Sequence, residues 1–339
     1  MKKIRLKVAD KTTDVLIGEH IAGFREHVPD NTCVITDENV NRLYGMFWDD
    51  LPAIVLEAGE LQKTLSTVEK ICTRLLNYGL DRSGFIVGIG GGIVCDIAGF
   101  TASIFMRGIP FGFVPTTLLA QADAAMGGKN GVNLHGYKNI IGSFSQPEFI
   151  FSDPNVLTTL PEAEIANGFA EMVKHALIAD DAMFEFMERH VDDMKQLHPE
   201  VIGHLLSRSV EIKAEIVSRD VYESGERRLL NFGHTFGHAI EKVSGISHGA
   251  AVSLGMMIAG RYSVSGNYLK AYDLERMENL LRGLDLPVRM SMPEEKIYEA
   301  VLADKKRIRT HIHFVALEAI GTAFIEVLPV TQLKQMKIH

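Results

Sequence analysis

The first half of the chain alternates short apolar runs with segments of helical periodicity. Runs rich in β-branched and aromatic residues, T-C-V-I-T, A-I-V-L and F-I-V-G-I, occupy residues 32–36, 53–56 and 85–89. Between the second and third runs, residues 65–76 place apolar side chains three and four positions apart, as on one face of a helix. Strands that alternate with helices in this way favour a mostly parallel sheet with helices on both faces.

The second half follows a different pattern. The stretch S-D-P-N-V-L-T-T-L-P, residues 152–161, contains two prolines and interrupts the alternation. Helical periodicity then dominates, for example over residues 162–178, 199–218 and 273–284, and strand-like runs are few. We therefore predict two domains: an α/β domain over residues 1–152 and a mainly helical domain over residues 153–339.

The bulk composition is that of an ordinary globular protein. The chain has 339 residues, 46% hydrophobic and 23% charged, which is enough for a large core and two domains. Its net charge of −8 argues against a nucleic-acid surface, because phosphate backbones require a basic excess. A small basic pocket for an acidic metabolite remains compatible with this charge.

Three sequence features favour a cytoplasmic protein without a membrane partner. The cysteines, Cys33, Cys72 and Cys95, are odd in number and form no C-x-x-C pair, which is typical of a reducing compartment. The start M-K-K-I-R-L-K-V-A-D lacks the apolar segment of a signal peptide. No run of about 18 apolar residues occurs, so we expect no transmembrane segment.

A glycine-rich turn follows the third predicted strand. The run F-I-V-G-I leads into G-G-G, residues 90–92, and then into I-V-C-D-I-A-G-F-T-A, which has helical spacing. Backbone N–H groups at such a strand–helix turn, together with the helix dipole, can bind a pyrophosphate. The strict G-x-G-x-x-G pattern fails because its third position is Ile93. A tight structural turn is therefore the alternative interpretation.

Two other strand ends carry polar residues that suit a dinucleotide. T-D-E-N at residues 36–39 follows one strand-like run, and P-T-T at residues 115–117 follows another. A dinucleotide that crosses the carboxyl ends of neighbouring strands would use both segments together with the glycine turn. The alternative is that Asp37 and Thr116 only cap helices.

Cations are concentrated in two segments of this acidic chain. The glycine-rich residues 123–139 carry Lys129, Lys138 and Asn139, a composition that suits close approach to an anion. In N-G-F-A-E-M-V-K-H, residues 167–175, Glu171 and Lys174 stand three apart on one predicted helix face. They could form an ordinary surface pair, but their neighbours are apolar, and a charged pair in such surroundings usually has a partner or a function.

Histidines four residues apart open a predicted helix. The stretch N-F-G-H-T-F-G-H-A-I-E contains His234 and His238, and His248 follows ten residues after the second. The protease pattern H-E-x-x-H is not met, because Thr235 follows the first histidine. With Glu171, two of the histidines would complete an open His₂Glu metal site and leave His238 for proton transfer. The alternative is that they are core or capping residues.

The motifs taken in order make the sequence resemble the 3-dehydroquinate synthase family of sugar phosphate cyclases. The resemblance runs from residue 36 to residue 306 and includes G-G-G-I-V-C-D, V-P-T-T-L-L-A-Q-A-D, G-G-K-N-G-V-N, Y-K-N-I-I-G-S-F, G-F-A-E-M-V-K, N-F-G-H-T-F-G-H-A-I-E and S-H-G-A-A-V. It implies a Rossmann-like NAD-binding domain followed by a helical metal- and substrate-binding domain, usually in a homodimer.

The resemblance also implies a reaction of the shikimate pathway. In that reaction 3-deoxy-D-arabino-heptulosonate 7-phosphate becomes 3-dehydroquinate and phosphate. The steps are transient oxidation by bound NAD, phosphate elimination, re-reduction, ring opening and aldol closure. The overall activity is therefore that of a carbon–oxygen lyase without net redox change.

The resemblance implies roles for particular residues of this chain. The metal, zinc or alternatively cobalt, is expected on Glu171, His234 and His248. The implied catalytic residues are His238, Lys129, Lys174, Asp123 and Glu223. The implied substrate-binding residues are Arg107, Asn139, Lys213, Arg227, Asn231, Lys305 and Lys306, with Arg107 reaching the phosphate of a neighbouring subunit. The implied NAD contacts are Asp37, Asn39, Glu60, Lys63, Gly90, Gly91, Gly92, Asp96, Thr116, Thr117 and Lys138.

Three departures from the family pattern and two rival activities stay open. Ala250 stands where many members have glutamate, Cys95 where glycine is common, and Ala120 where serine is common. A 2-deoxy-scyllo-inosose synthase would use a similar site on a substrate without a carboxylate. A metal-dependent polyol or glycerol-phosphate dehydrogenase would share the two-domain layout but accumulate NADH.

Overall fold

The protein divides into two compact units, Met1–Leu160 and Pro161–His339. The structure is a computed structural model that describes residues 2–8, 11–290, 293–305, 310–336 and 338, with residues 303–305 described by their backbone alone. Of the implied substrate contacts, Lys306 and the side chain of Lys305 lie outside the described residues. Among the described residues, no helix is both long enough and apolar enough to cross a membrane.

The N-terminal unit contains a seven-stranded sheet with a small hairpin beside it. In chain order its elements are β1 (Lys2–Val8), β2 (Lys11–Ile17), β3 (Thr32–Asp37), α1 (Glu38–Tyr44), β4 (Ala53–Leu56), α2 (Leu65–Asn77), β5 (Phe85–Gly90), α3 (Gly92–Ile104), β6 (Phe111–Pro115), β7 (Lys129–Leu134), β8 (Tyr137–Phe144) and β9 (Phe149–Ser152). The strand order is β1-β2-β9-β6-β5-β3-β4, and β7 pairs with β8.

The sheet is parallel except at one edge. Strand β1 pairs antiparallel with β2, and all the other neighbouring pairs are parallel. Because parallel strands end at the same edge, Asp37 of β3, Gly90 of β5 and Pro115 of β6 come to one edge of the sheet. All six residues of the central strand β5 are buried. This burial explains why β5 is continuously apolar rather than alternating.

The C-terminal unit consists mainly of helices. In chain order its elements are α4 (Glu162–Ala179), α5 (Asp181–Arg189), α6 (Val191–Lys195), α7 (Pro199–Arg219), α8 (His234–Ser244), α9 (His248–Ser265), α10 (Ala271–Gly283), α11 (Glu294–Lys305), β10 (His311–Ala319) and β11 (Thr322–Pro329). Helix α4 packs against α7 and α9, and α8 packs against α9. Residues 167–178 of α4 and residues 251–260 of α9 are buried throughout, so these two helices form the centre of this unit.

The fold predicted from the sequence is confirmed. The apolar runs at residues 32–36, 53–56 and 85–89 form β3, β4 and β5, and the periodic segments at 162–178 and 199–218 form α4 and α7. A parallel-sheet, Rossmann-like unit is followed by a helical one. The antiparallel hairpin of β10 and β11 in the helical unit is an addition that the periodicity did not indicate.

Candidate active site

Three helices bring the predicted metal ligands together. Glu171 lies in the buried middle of α4, while His234 and His248 are the first residues of α8 and α9. Gly233 precedes His234 in the left-handed region, with φ of 78°. A Cβ at that glycine would lie 2.6 Å from Cγ of Met256, so only glycine allows the chain to turn into α8 against α9.

The donor atoms of the three side chains converge on a small space. Nε2 of His248 lies 3.3 Å from Oε1 of Glu171, and Nε2 of His234 lies 3.5 Å from the same oxygen. One donor atom from each of the three residues lies within 4.8 Å of the others. Zinc bonds of about 2.0–2.2 Å in a tetrahedral arrangement separate neighbouring donors by roughly 3.3–3.6 Å. The side chains therefore fit a divalent metal with two nitrogen ligands and one oxygen ligand.

The other ring nitrogen of each histidine is also engaged. Nδ1 of His234 lies 3.1 Å from the carbonyl oxygen of Phe232, and Nδ1 of His248 lies 3.3 Å from Oε2 of Glu241. In each ring an N–H at Nδ1 donates to its acceptor. This bond orients the ring so that Nε2 faces Glu171. The sequence analysis did not single out Glu241. Its position seven residues after His234 and three after His238 was the available signal, because such positions share a helix face.

His238 is close to this cluster but does not belong to the donor set. Its ring lies 5.1 Å from the ring of His234 and 6.3 Å from that of His248, measured between centroids. It is exposed, whereas His234 and His248 are partly buried. Two histidines four apart on α8 therefore have different surroundings.

Burial and neighbouring charges act on the two histidines in opposite directions. Burial, which the charge of Glu171 opposes, lowers the pKa of His234 to about 3. Burial also disfavours a charged His248, but hydrogen bonds and charges from Glu171 and Glu241 outweigh it and raise the pKa of His248 to about 9. In the metal-free protein at neutral pH, a protonated His248 thus faces two carboxylates, and a neutral His234 offers a lone pair.

The start of helix α9 is capped by a side chain of helix α4. Ser247 precedes α9, but its side chain makes no capping bond, and the N–H of Gly249 donates instead to Oδ1 of Asn167 at 3.0 Å. Asn167 lies one turn before Glu171 on α4. A Cβ at position 249 would lie 2.5 Å from Cα of Asn167, so glycine is required for this close approach. The bond ties the backbone at His248 to the helix that carries Glu171.

Buried cations lie in the same unit as the metal-type cluster. Lys174 forms a short ion pair with Glu171, and the side chains of both residues are 2% exposed or less. Lys213 on α7 is 6% exposed, and Arg227 is 2% exposed. Burial of charged groups costs several kcal/mol per ion and is maintained where the charges are paired or have a function. Anion recognition is a function that such a set can serve.

A loop between α7 and α8 holds three predicted site residues, of which one is an implied catalytic residue and two are implied substrate contacts. Asp220 accepts hydrogen bonds from the backbone N–H groups of Ser224 at 3.0 Å, Gly225 at 2.6 Å and Arg227 at 3.1 Å. Desolvation opposes ionisation of Asp220, but these bonds outweigh it and lower its pKa to about 2.

The same loop brings Glu223 to Asn231. Glu223 has a left-handed φ of 60°, and its carboxylate accepts a short hydrogen bond from the amide of Asn231. Nη1 of Arg227 donates to the carbonyl of Val221 at 2.5 Å. The loop therefore brings Glu223, Arg227 and Asn231 close together.

In the N-terminal unit, the glycine turn is constrained by packing. A Cβ at Gly90 would lie 2.7 Å from Cβ of Val94, and one at Gly91 would lie 3.0 Å from Cγ2 of Thr117. Helix α3 begins after Gly91 without a capping side chain. Its first N–H groups therefore face the sheet edge, the arrangement in which backbone groups and the helix dipole bind phosphate.

The implied cofactor residues beside this turn form a network through Asn133. Nζ of Lys63 lies 2.5 Å from Oδ2 of Asp96. Asn133 donates its amide to Glu60 at 2.8 Å and its backbone N–H to the carbonyl of Lys63 at 2.8 Å, and it accepts from the N–H of Asn139 at 2.9 Å. Asn133 joins residues far apart in sequence, which is why the sequence analysis did not single it out.

The remaining predicted residues of this unit lie at strand ends, in short helical turns or on the hairpin of β7 and β8. Asp37 caps α1 by accepting from the N–H groups of Asn39 and Val40, as the capping interpretation expected. Thr116 is buried with its N–H bonded to the carbonyl of Gly90 at 2.9 Å. The others are partly buried Asp123 in a π-helical turn, Thr117 beside it, and exposed Arg107, Lys129 and Lys138.

The fold of this chain, a Rossmann-like sheet unit followed by a helical unit, is that of solved sugar phosphate cyclases. A solved 2-deoxy-scyllo-inosose synthase, complexed with carbaglucose-6-phosphate, NAD⁺ and Co²⁺, superposes with a TM-score of 0.88 at 27% identity and 98% coverage of both chains. The 2-epi-5-epi-valiolone synthase of Streptomyces hygroscopicus subsp. jinggangensis 5008, with NAD⁺ and Zn²⁺ bound, has a TM-score of 0.88 at 26% identity, covering 97% of this chain and 96% of the other.

Sequence comparison narrows this class to one family. The profile described as 3-dehydroquinate synthase N-terminal matches residues 53–167, and the one described as 3-dehydroquinate synthase C-terminal matches residues 168–307. A 3-dehydroquinate synthase of Halorhodospira halophila is 40% identical over 332 residues, 94% of each chain. The chain belongs to the 3-dehydroquinate synthase family, and it is an enzyme of the cyclase type.

Proposed function

We propose that the protein converts 3-deoxy-D-arabino-heptulosonate 7-phosphate to 3-dehydroquinate and phosphate. The observation that carries this proposal is the convergence of Glu171, His234 and His248 in a unit with buried Lys174 and Arg227. A metal-type donor set suits hydroxyl groups on a sugar, and buried cations suit its carboxylate and phosphate. The name of the 40% identical relatives supports the same reaction.

We propose NAD and a divalent metal, zinc or cobalt, as the cofactors. Glu171, His234 and His248 would hold the metal, and the donor spacing of 3.3 and 3.5 Å supports this. The turn at residues 90–92 and the sheet edge would hold NAD. Its proposed contacts are Asp37, Asn39, Glu60, Lys63, Gly90, Gly91, Gly92, Asp96, Thr116, Thr117 and Lys138. When bound, NAD supplies a reversible hydride acceptor and the metal a Lewis acid.

The chain's own groups would bind substrate and move protons. His238 is exposed and close to the donor set, a position from which its ring can accept or give a proton near a departing phosphate. Lys174 would bind substrate oxygen beside Glu171. Arg227, rigidly held by the 220–227 loop, would bind the planar carboxylate. The other proposed contacts are Asp123, Lys129, Asn139, Lys213, Glu223, Asn231, Lys305 and Lys306.

We further propose a homodimer that forms through the end of α3 and the hairpin of β7 and β8. Met106 and Arg107 have left-handed φ values of 51° and 71°, and the exposed Arg107 would extend to the partner's substrate phosphate. Ser103 bonds to Ser143 at 2.8 Å, so the exposed apolar side chains of Ile104 and Phe144 belong to one surface. A second copy would cover this surface, and analytical ultracentrifugation of R107A and of the wild type tests it.

We also propose that the enzyme works in a reducing cytoplasm. Its three cysteines, Cys33, Cys72 and Cys95, are all free thiols. Cys33 and Cys95 are buried in the sheet unit, where they pack as small apolar side chains. Full activity of the purified enzyme in the presence of a thiol reductant is the expected result.

A 2-deoxy-scyllo-inosose synthase activity is the second candidate, because a solved synthase of that type superposes over 98% of the chain. Its substrate lacks a carboxylate. Arg227 and Lys213, both buried, favour the dehydroquinate reaction, since they suit a substrate that carries a carboxylate in addition to its phosphate.

One incubation distinguishes these activities. The enzyme is supplied with NAD, Zn²⁺ and 3-deoxy-D-arabino-heptulosonate 7-phosphate, and phosphate, carbocycle and NADH are measured. We expect phosphate and 3-dehydroquinate without accumulation of NADH. Turnover of glucose 6-phosphate alone would establish the inosose synthase reaction instead, and stoichiometric NADH would indicate a dehydrogenase.

A further inference from the structure

His248 stands between two carboxylates that contact opposite nitrogens of its ring. Its Nε2 lies 3.3 Å from Oε1 of Glu171, and its Nδ1 lies 3.3 Å from Oε2 of Glu241. The Glu241 side chain is 15% exposed and projects from the second half of α8. The proposed function gives Glu171 a role but assigns none to Glu241.

We propose that Glu241 is a positioning residue that orients His248 for metal binding. The inference rests on the proposed function, because it assumes that His248 binds a metal through Nε2. A carboxylate that accepts from Nδ1–H fixes both the ring rotation and the tautomer, and it makes the opposite nitrogen a better ligand.

The two histidines differ in how their rings are held. Nδ1 of His234 faces a backbone carbonyl, that of Phe232, only two residues away in the chain. Nδ1 of His248 instead faces a side chain from another helix. The bond between Asn167 and Gly249 fixes the backbone next to His248, but it does not act on the ring. Of the two rings, that of His248 therefore depends on a side chain that a substitution can remove.

The residue at position 250 strengthens the dependence of the His248 ring on Glu241. Ala250 has no polar side chain with which to hold the ring of the neighbouring histidine. Glu241, Glu171 and His248 thus form a row in which one imidazole joins two carboxylates. Loss of Glu241 would remove the contact that holds Nδ1 and so weaken the restraint on the rotation of the His248 ring.

Metal affinity tests this proposal without dependence on turnover. Metal-free wild type, E241A and E241Q are titrated with Zn²⁺ against a chelator of known affinity, and the Co²⁺-loaded proteins are compared by visible absorption. We expect E241A to bind Zn²⁺ about 10–100-fold more weakly and to show an altered Co²⁺ spectrum. E241Q keeps an acceptor oxygen without the charge, and we expect it to lie between E241A and the wild type.

E215A is the matched control, because Glu215 is a helical glutamate whose side chain is 57% exposed. We expect wild-type affinity for it. Thermal unfolding of the metal-free proteins shows whether each variant folds, and E241Q provides the test if E241A does not.

The outcomes separate this inference from the function on which it rests. Wild-type zinc affinity and an unchanged Co²⁺ spectrum in E241A and E241Q would overturn the role of Glu241 alone. A wild-type protein that binds no divalent metal would overturn the metal assignment, and the role of Glu241 with it. Weaker zinc binding in a folded E241A, beside normal binding in E215A, supports the inference.

Discussion

The two polar regions of this molecule are built from different parts of the chain. At the sheet edge, the turn at residues 90–92 presents backbone N–H groups, and the space they need exists because glycines lack side chains. In the helical unit, the cluster at Glu171 consists of side chains from α4, α8 and α9. The first region is local in sequence, whereas the second joins residues up to 77 positions apart.

This difference determines which substitutions each region tolerates. A region built from backbone is insensitive to side-chain identity wherever the new side chain fits, and Cys95 in α3, one turn past Gly91, is an example. A region built from side chains depends on chemical identity at every ligand, because each supplies one donor atom. The predictions below test this contrast, from the largest expected effect to the smallest.

Removal of a proposed ligand is expected to have the largest effect. H234A deletes one of three donors, and we expect zinc affinity to fall by more than about 100-fold, since loss of an outer contact alone costs about 10–100-fold. Activity should be lost with it. Zinc content after dialysis and phosphate release are the measurements. H238A is the control: it should keep its zinc while it loses activity, and full zinc occupancy in H234A would refute the ligand assignment.

The sequence predicts elements and local motifs well, and long-range contacts poorly. Strands β3 to β5 follow from short apolar runs, which are typical of buried parallel strands, and helices α4 and α7 follow from helical periodicity. The hairpin of β10 and β11 was missed because its run V-A-L-E-A is also compatible with a helix. The turn between β10 and β11 contains Gly321 with a left-handed φ of 82°, a conformation that the sequence alone does not show.

The candidate site shows the same division. His234, His238, His248 and Glu171 were predicted as a group, and donor atoms of Glu171, His234 and His248 lie within 4.8 Å of one another. The contacts that hold them were not predicted. Asn167 meets Gly249 across 82 residues, and no local pattern encodes that pairing.

The buried ion pair offers a test of charge compensation in the side-chain region. K174M leaves the Glu171 carboxylate buried without the lysine that forms an ion pair with it. We expect a loss of about 3 kcal/mol in the free energy of unfolding of the metal-free protein, at the low end for a broken buried pair. With zinc bound the loss should be smaller, because the metal also balances the carboxylate. Urea unfolding with and without zinc measures both values.

The control for this variant is an exposed pair. Arg219 and Glu215 lie 3.5 Å apart, with both side chains more than half exposed. We expect R219M to cost under about 1 kcal/mol with or without zinc. A K174M cost equal to that of R219M would contradict the idea that burial makes the Lys174 charge important.

In the backbone region, a single added methyl group should matter. G90A places a Cβ 2.7 Å from Cβ of Val94, and we expect a loss of about 1–3 kcal/mol in the free energy of unfolding, together with weaker NAD binding. C95A is the matched change in the same segment. It removes a sulfur that lies 3.8 Å from the carbonyl of Gly90 and should leave NAD binding unchanged. Calorimetric titration with NAD distinguishes the two, and equal affinities in wild type and G90A would argue against the turn as the cofactor site.

The smallest effect is expected at Asp220. Its carboxylate accepts hydrogen bonds from backbone N–H groups, so this contact depends on a side chain and on the backbone together. D220N loses the charge and turns one of the two accepting oxygens into an amide NH₂ group. We expect a cost of about 1 kcal/mol, at the low end for a lost acceptor, because the amide oxygen can still serve Gly225 and Arg227 while water reaches the N–H of the exposed Ser224. In the folded protein the pKa of Asp220 is about 2, below the ordinary aspartate value of about 3.9. The stabilisation of the fold by the Asp220 charge is therefore complete above about pH 3.9 and is lost as the pH falls from there through about 2. Urea unfolding should therefore give the same difference between wild type and D220N at pH 7 and at pH 5. Near pH 2 the difference should become smaller, and a difference that stays the same there as at pH 7 would show that the Asp220 carboxylate is not held by the loop as its contacts indicate.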